Sequence, residues 1–243
     1  MSSGNTFQEF TEHRSEIWSV IKDPIFIKQM LWITLLVVFM LISILANIDF
    51  LKTNYPDDTL IRPGDRVLDA IPPNYDFLQI GEVVSRLEMA VVAFFFLTST
   101  QRLRRLPKML FLLCVMFILR GFAITLTPLA QITPPGEHFP ESNFIAQNFY
   151  HGMFFSGHSS SALIQAFFFW PYRFKGIRIT WFILPIATME VISMLWGHQH
   201  YSIDIFTAFF VVYFVMTFEF MKLVPKSLLE VKWMPWWTGE EVT

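Results

Sequence analysis

Long apolar runs constrain this chain more than any other feature. A stretch of roughly 20 apolar residues can cross the hydrocarbon core of a bilayer as a helix, and has few other stable uses. Six such runs occur, at about 30–49, 79–99, 108–127, 153–172, 179–197 and 202–222. The polar connections between them are short and 53% of the 243 residues are hydrophobic, which leaves no material for a separate soluble domain. The expectation is an all-α polytopic membrane protein. Six transmembrane helices form one bundle over 30–222, after an N-terminal lead-in (1–29) and before a C-terminal tail (223–243).

Basic residues orient the bundle. Thirteen of the eighteen Lys and Arg fall in alternate connections: the N-terminus, "RLRRLPK" (102–108), "RFKGIR" (173–178) and the C-terminal end. The positive-inside rule then places both termini in the cytoplasm. Loops 50–77, 128–152 and 198–201 lie on the far side, which is periplasmic, extracellular or lumenal. The lead-in lacks the shape of a signal peptide and reads as an amphipathic segment at the interface. Cys114 is the single cysteine, which excludes disulfides and cysteine-ligated metal. Trp233, Trp236 and Trp237 in the tail suit an interfacial aromatic belt, and nothing suggests a nucleic-acid partner.

An ionisable side chain at mid-bilayer costs at least about 2.5 kcal/mol and is expected to face a polar interior. Those inside the runs are Glu82, Arg86, Glu88, Arg120, His158, Glu190 and Asp204. Glu82 and Arg86, four apart, predict an internal ion pair that stitches helices together. Glu190 has no local partner, and reads equally as a proton-handling group or a hydrogen-bonded structural carboxylate. Arg120 stands alone in "CVMFILRGFAITLT", and a guanidinium at that depth should meet an anion, either a carboxylate of the bundle or a bound phosphate.

Two of the runs open on polar chemistry. "HGMFFSGHSSSALIQ" (151–165) puts Ser156, Gly157 and His158 at a helix start, where free amides and the positive end of the helix dipole make an anion site. "GHQHYSIDIF" (197–206) sets His200 and Asp204 four apart. The carboxylate can therefore accept the Nδ1 proton and leave Nε2 free as base, ligand or nucleophile. Zinc on His198, His200 and Asp204 is disfavoured, because residues two apart at a helix start diverge and no third strong ligand pattern is visible. His198 reads as an interfacial histidine.

"SGH", then some forty residues, then "HxHYSIDI" resembles the sphingomyelin synthase branch of the type 2 phosphatidic acid phosphatase superfamily. "IPPNYD" (71–76) stands in the place of that family's proline–aspartate motif, and "LRGFAITLTPL…PPG" (119–136) looks like its arginine motif with a following turn. The resemblance implies six spans, no metal or cofactor, and phosphoryl transfer through a phosphohistidine. His200 would be the nucleophile, Asp204 its orienting partner, and His158 acid and then base. Arg120, Ser156 and Gly157 would hold the phosphate oxygens. Phosphatases of the superfamily also carry an Arg six residues before the nucleophile, where this chain has Met194. A single guanidinium suits a phosphodiester better than a monoester, which favours head-group transfer or diester cleavage; the resemblance implies a phospholipid head-group donor and a ceramide or diacylglycerol hydroxyl as acceptor. The alternatives are a phosphatase or phospholipase C-type hydrolase with water as acceptor, and a non-catalytic lipid transporter or binding protein of the same fold.

Overall fold

A computed structural model describes residues 4–55, 60–61, 63–74, 76–130, 132 and 155–217. Expectations for the "PPG" turn at 134–136 and the tail from 223 lie outside these residues. The chain runs α1 (Gly4–Ile21), α2 (Pro24–Asn54), α3 (Arg66–Ala70), α4 (Asp76–Leu97), α5 (Thr100–Leu103), α6 (Leu106–Leu126) and α7 (Gly157–Phe168). A two-stranded hairpin follows, β1 (Arg173–Phe174) and β2 (Ile177–Arg178), then α8 (Thr180–Trp196) and α9 (Ser202–Thr217).

Local chemistry fixes several of these boundaries. Asp23 caps α2 by accepting the Ile25 amide at 2.9 Å, with Pro24 at the first helical position, where a missing N–H costs nothing. Ser156 caps α7 in the same way, its Oγ accepting the Ser159 amide at 3.1 Å. This helix is shorter than the apolar run at 153–172 predicts. It ends at Phe168, ahead of Pro171, which has no amide to donate and disfavours a helical residue before it. Twelve residues span about 18 Å, well under a hydrocarbon core of about 30 Å.

Two stretches, Pro24–Leu51 and Thr100–Leu126, are long and apolar enough to cross a membrane unaided. α8 and most of α9 are apolar but shorter, and α4 has the length but carries Glu82, Arg86 and Glu88. The outward side of α2 exposes Leu31, Leu35, Phe39, Ile42 and Leu45. Water would penalise so broad an apolar face, whereas lipid accepts it.

The core is built around α7, which packs on α6, α8 and α9. Gly157, Ser159, Ser160, Ala162 and Ala166 are all buried, and their small size lets neighbouring backbones approach closely, as helix packing in lipid requires. Thr180 Oγ1 donates to the Ala166 carbonyl at 2.9 Å, tying the start of α8 to α7. Phenylalanines 95, 96, 168 and 169 fill the end of the bundle beyond these small residues.

The two ends of the bundle differ in chemistry. At one, α1 docks on the turn between α4 and α5 through His13 Nε2 and the Leu97 carbonyl (3.1 Å), while Arg104 pairs with Asp23 at 2.7 Å. Arg178 stacks on Trp170 nearby in sequence, 4.5 Å from the ring centre. At the other end, segments 60–74, 128–130 and 196–202 come together. The Asn74 amide donates to the Trp196 carbonyl, the Ala130 amide to Ile61, and Tyr201 Oη to the Ala130 carbonyl.

The Glu82–Arg86 pair is not the internal stitch expected. It lies within α4 at 3.5 Å, with the side chains 49% and 73% exposed. Spacing of four makes the residues neighbours on a helix without saying which way their shared face turns. The buried glutamates are instead Glu88 of α4 and Glu190 of α8, which lie within electrostatic reach of one another. Glu190 thus has no local partner but meets a carboxyl from another helix.

Candidate active site

One backbone bond joins the polar starts of α7 and α9, and Arg120 of α6 packs against the first of them. The Ser156 amide donates to the Asp204 carbonyl at 3.1 Å, joining the cap of one helix to the first turn of the other. Arg120 Nε donates to the Phe155 carbonyl at 3.2 Å, which brings the guanidinium of α6 to the residue before that cap. A Cβ on Gly157 would stand 3.2 Å from both Arg120 Cδ and Phe117 Cε1, so glycine is what lets the Arg120 stem lie against the start of α7.

His200 sits in the bend just before α9 rather than on the helix. It still reaches Asp204, Nδ1 to Oδ2 at 3.4 Å, and both groups are buried. The same oxygen accepts the Tyr201 amide at 3.2 Å. Asp204 Oδ1 and Ser159 Oγ are buried with no hydrogen-bond partner among the described residues, and each such group costs about 1–3 kcal/mol. His158, partly buried in the first turn of α7, lies within electrostatic range of both His200 and Arg120. All six residues singled out from the sequence (Arg120, Ser156, Gly157, His158, His200 and Asp204) therefore gather where α6, α7 and α9 meet.

The chain enters both helix starts through strained backbone. Phe155 has φ +32° and His198 φ +50°, left-handed values that a residue with a Cβ adopts at a cost of about 1–3 kcal/mol. Burial of the Phe155 ring and the bond from Arg120 hold the first in place. His198 Nε2 meets the Ile71 carbonyl at 2.9 Å and secures the second.

A residue of the 60–74 segment completes the site, and the sequence did not single it out. Asp65 Oδ1 accepts the Val67 and Leu68 amides at 3.0 and 3.2 Å, capping α3. The same carboxylate accepts the Ser202 amide (2.6 Å, on Oδ2) and the Ser202 hydroxyl (2.9 Å, on Oδ1). Partial burial opposes its ionisation, but the bonds from Ser202, Leu68 and Val67 outweigh this and hold it below the usual aspartate value. Asp76, the acidic residue of "IPPNYD", is exposed at the start of α4 instead.

Met194 is buried, and its Cε would lie 2.9 Å from a Cβ on Gly81 of α4. The position where the resemblance would have an arginine is thus filled by an apolar side chain packed between helices. Beside Arg120 a small cleft lies between α2 and α6. Ile44, Ile48 and Ile124 line it, with Asn47 and Arg120 as polar groups.

Residues 152–221, which span α7 to α9, match the family model of the PAP2 superfamily C-terminal domain. The match covers under a third of the chain and supports kinship with the type 2 phosphatidic acid phosphatases, a class of membrane enzymes acting on lipid phosphates. Arg120 and Asp65 lie outside the matched stretch. No curated protein matches the chain.

Proposed function

We propose that this chain is an integral-membrane lipid phosphotransferase that moves a phospholipid head group to a lipid hydroxyl through a phosphohistidine, as sphingomyelin synthases do. The observation that carries the reading is the joining of the two helix starts: Ser156 bonds Asp204, and Asp204 in turn bonds His200. The phosphodiester oxygens sit at the amides of α7 and the Ser156 cap, facing Arg120. His200 Nε2 attacks phosphorus and the lipid alkoxide leaves, taking a proton from His158. Asp204 accepts the Nδ1 proton in a bond that shortens from 3.4 Å as the ring gains charge. In the second step His158 removes the proton of the acceptor hydroxyl. The freed oxygen attacks phosphorus, and His200 departs unchanged.

Met194 in place of a second cation supports a diester of charge about −1 over a monoester. Six spans with both termini in the cytoplasm complete the reading, with the site on the periplasmic, extracellular or lumenal face. Its support is the gathering of segments 60–74, 128–130 and 196–202 at the end remote from Arg104 and Arg178.

The test is head-group transfer from a labelled phospholipid in detergent micelles, with ceramide, diacylglycerol or neither supplied. Wild type should yield the acceptor-linked product, and His200→Ala should lower turnover by at least about 10³-fold while the protein stays folded. Release of the free head-group phosphate without an acceptor would assign the hydrolase reading. Unchanged turnover in His200→Ala would remove the phosphohistidine.

A further inference from the structure

One carboxylate serves two helices at this end of the bundle. Asp65 caps α3, a local role that any N-cap aspartate plays, and it also takes both donors of Ser202, a residue 137 positions away. Ser202 opens α9, two residues after His200 and two before Asp204. The bend between Trp196 and Ser202 is turned by backbone bonds at its start, the His198 amide to the Leu195 carbonyl and the Gln199 amide to the Met194 carbonyl, and passes through a left-handed His198. It is pinned from outside by the Asn74 amide on the Trp196 carbonyl, by His198 on the Ile71 carbonyl, by Tyr201 Oη on the Ala130 carbonyl, and by Ser202 on Asp65. The last two adjoin the His200–Asp204 contact. Of the four, the bond to Asp65 is the charged one, and charge-assisted bonds are roughly twice as strong as neutral ones.

We infer that Asp65 is a positioning residue for the reaction: by clamping Ser202 it fixes the first turn of α9 and so the angle at which His200 meets phosphorus. The inference rests on His200 being the nucleophile. Asp65 touches neither phosphate nor acceptor, and acts only through the turn it holds. Its negative charge also occupies the positive end of α9, leaving the start of α7 as the place where a substrate anion is welcome.

The test is Asp65→Asn. Asparagine caps a helix as well as aspartate does, so α3 survives on its side-chain oxygen, while its amide group faces the Ser202 N–H donor to donor. Turnover number should fall by about 10²-fold, the cost of a misplacement on the order of an ångström, with KM within about twofold because α7 and Arg120 are untouched. Ser202→Ala should fall by less. Combining it with Asp65→Asn should cost little beyond Asp65→Asn alone, since both break one contact. Amide exchange across 200–204 in detergent should rise at least about tenfold in Asp65→Asn, a readout independent of turnover. A folded Asp65→Asn with wild-type turnover, or one changed in KM alone, overturns the inference and leaves the phosphohistidine standing. If His200 proves dispensable, the catalytic part goes with it, and the exchange measurement still decides whether Asp65 holds the turn.

Discussion

The starts of α7 and α9 lie one hydrogen bond apart and are finished in opposite ways. α7 is capped by the hydroxyl of Ser156, which is neutral, and Gly157 leaves the space above its first amides clear of a Cβ. α9 is finished by carboxylates, Asp65 on Ser202 and Asp204 on Tyr201. A negative group at a helix N-terminus is worth about 0.3–1 kcal/mol, and more where partly buried. The second helix has thus spent its attraction for anions on its own side chains, while the first still offers it. On the function proposed above, the two neighbouring termini divide the work: one receives the phosphate, the other steadies the imidazole that attacks it.

Substitutions on the α7 side test this division most severely. Arg120→Lys keeps the charge but loses the Nε donor to Phe155 and the planar fork, so kcat/KM for head-group transfer should drop about 10²-fold. A drop of less than about threefold would show that charge alone suffices there. Gly157→Ala should cost about tenfold, because its Cβ, 3.2 Å from Arg120 Cδ, pushes the guanidinium by a few tenths of an ångström. Thermal unfolding should move little, and a large stability loss would instead make Gly157 a packing residue.

The smallest effect sharpens the contrast from the α9 side. Because the folded value for Asp65 is depressed below 3.8, its contribution to stability is complete above that value and is lost as pH falls through the lower folded one. Thermal unfolding of wild type should therefore show an acid-side loss in that window that Asp65→Asn lacks. Equal acid profiles for the two proteins would mean that the clamp carries no net charge effect.

How much of this was legible in the sequence depended on range. Ser156, His158, His200 and Asp204 announce themselves because capping and i,i+4 contacts are local, and because polar groups stand out against apolar runs. Arg120 is visible for the second reason alone. Asp65 was one of six aspartates around a polar loop. Its placement ahead of "RVLD" fits an N-cap for α3 and says nothing of a serine 137 residues on. Glu88 and Glu190 meet for reasons equally non-local, set by how α4 packs on α8. The exposed Glu82–Arg86 pair shows the converse: the spacing correctly made them neighbours, but the direction of that face belongs to the bundle. Likewise the apolar run at 153–172 promised a longer helix than Pro171 and the Ser156 cap permit.

The cleft between α2 and α6 has a kinetic corollary. On the function proposed above, a donor lipid that reaches Arg120 by that route enters sideways from the bilayer and does not pass through bulk water. Its encounter rate then follows its mole fraction among the surrounding amphiphiles, so adding inert detergent at constant substrate molarity dilutes the reaction as surely as removing substrate.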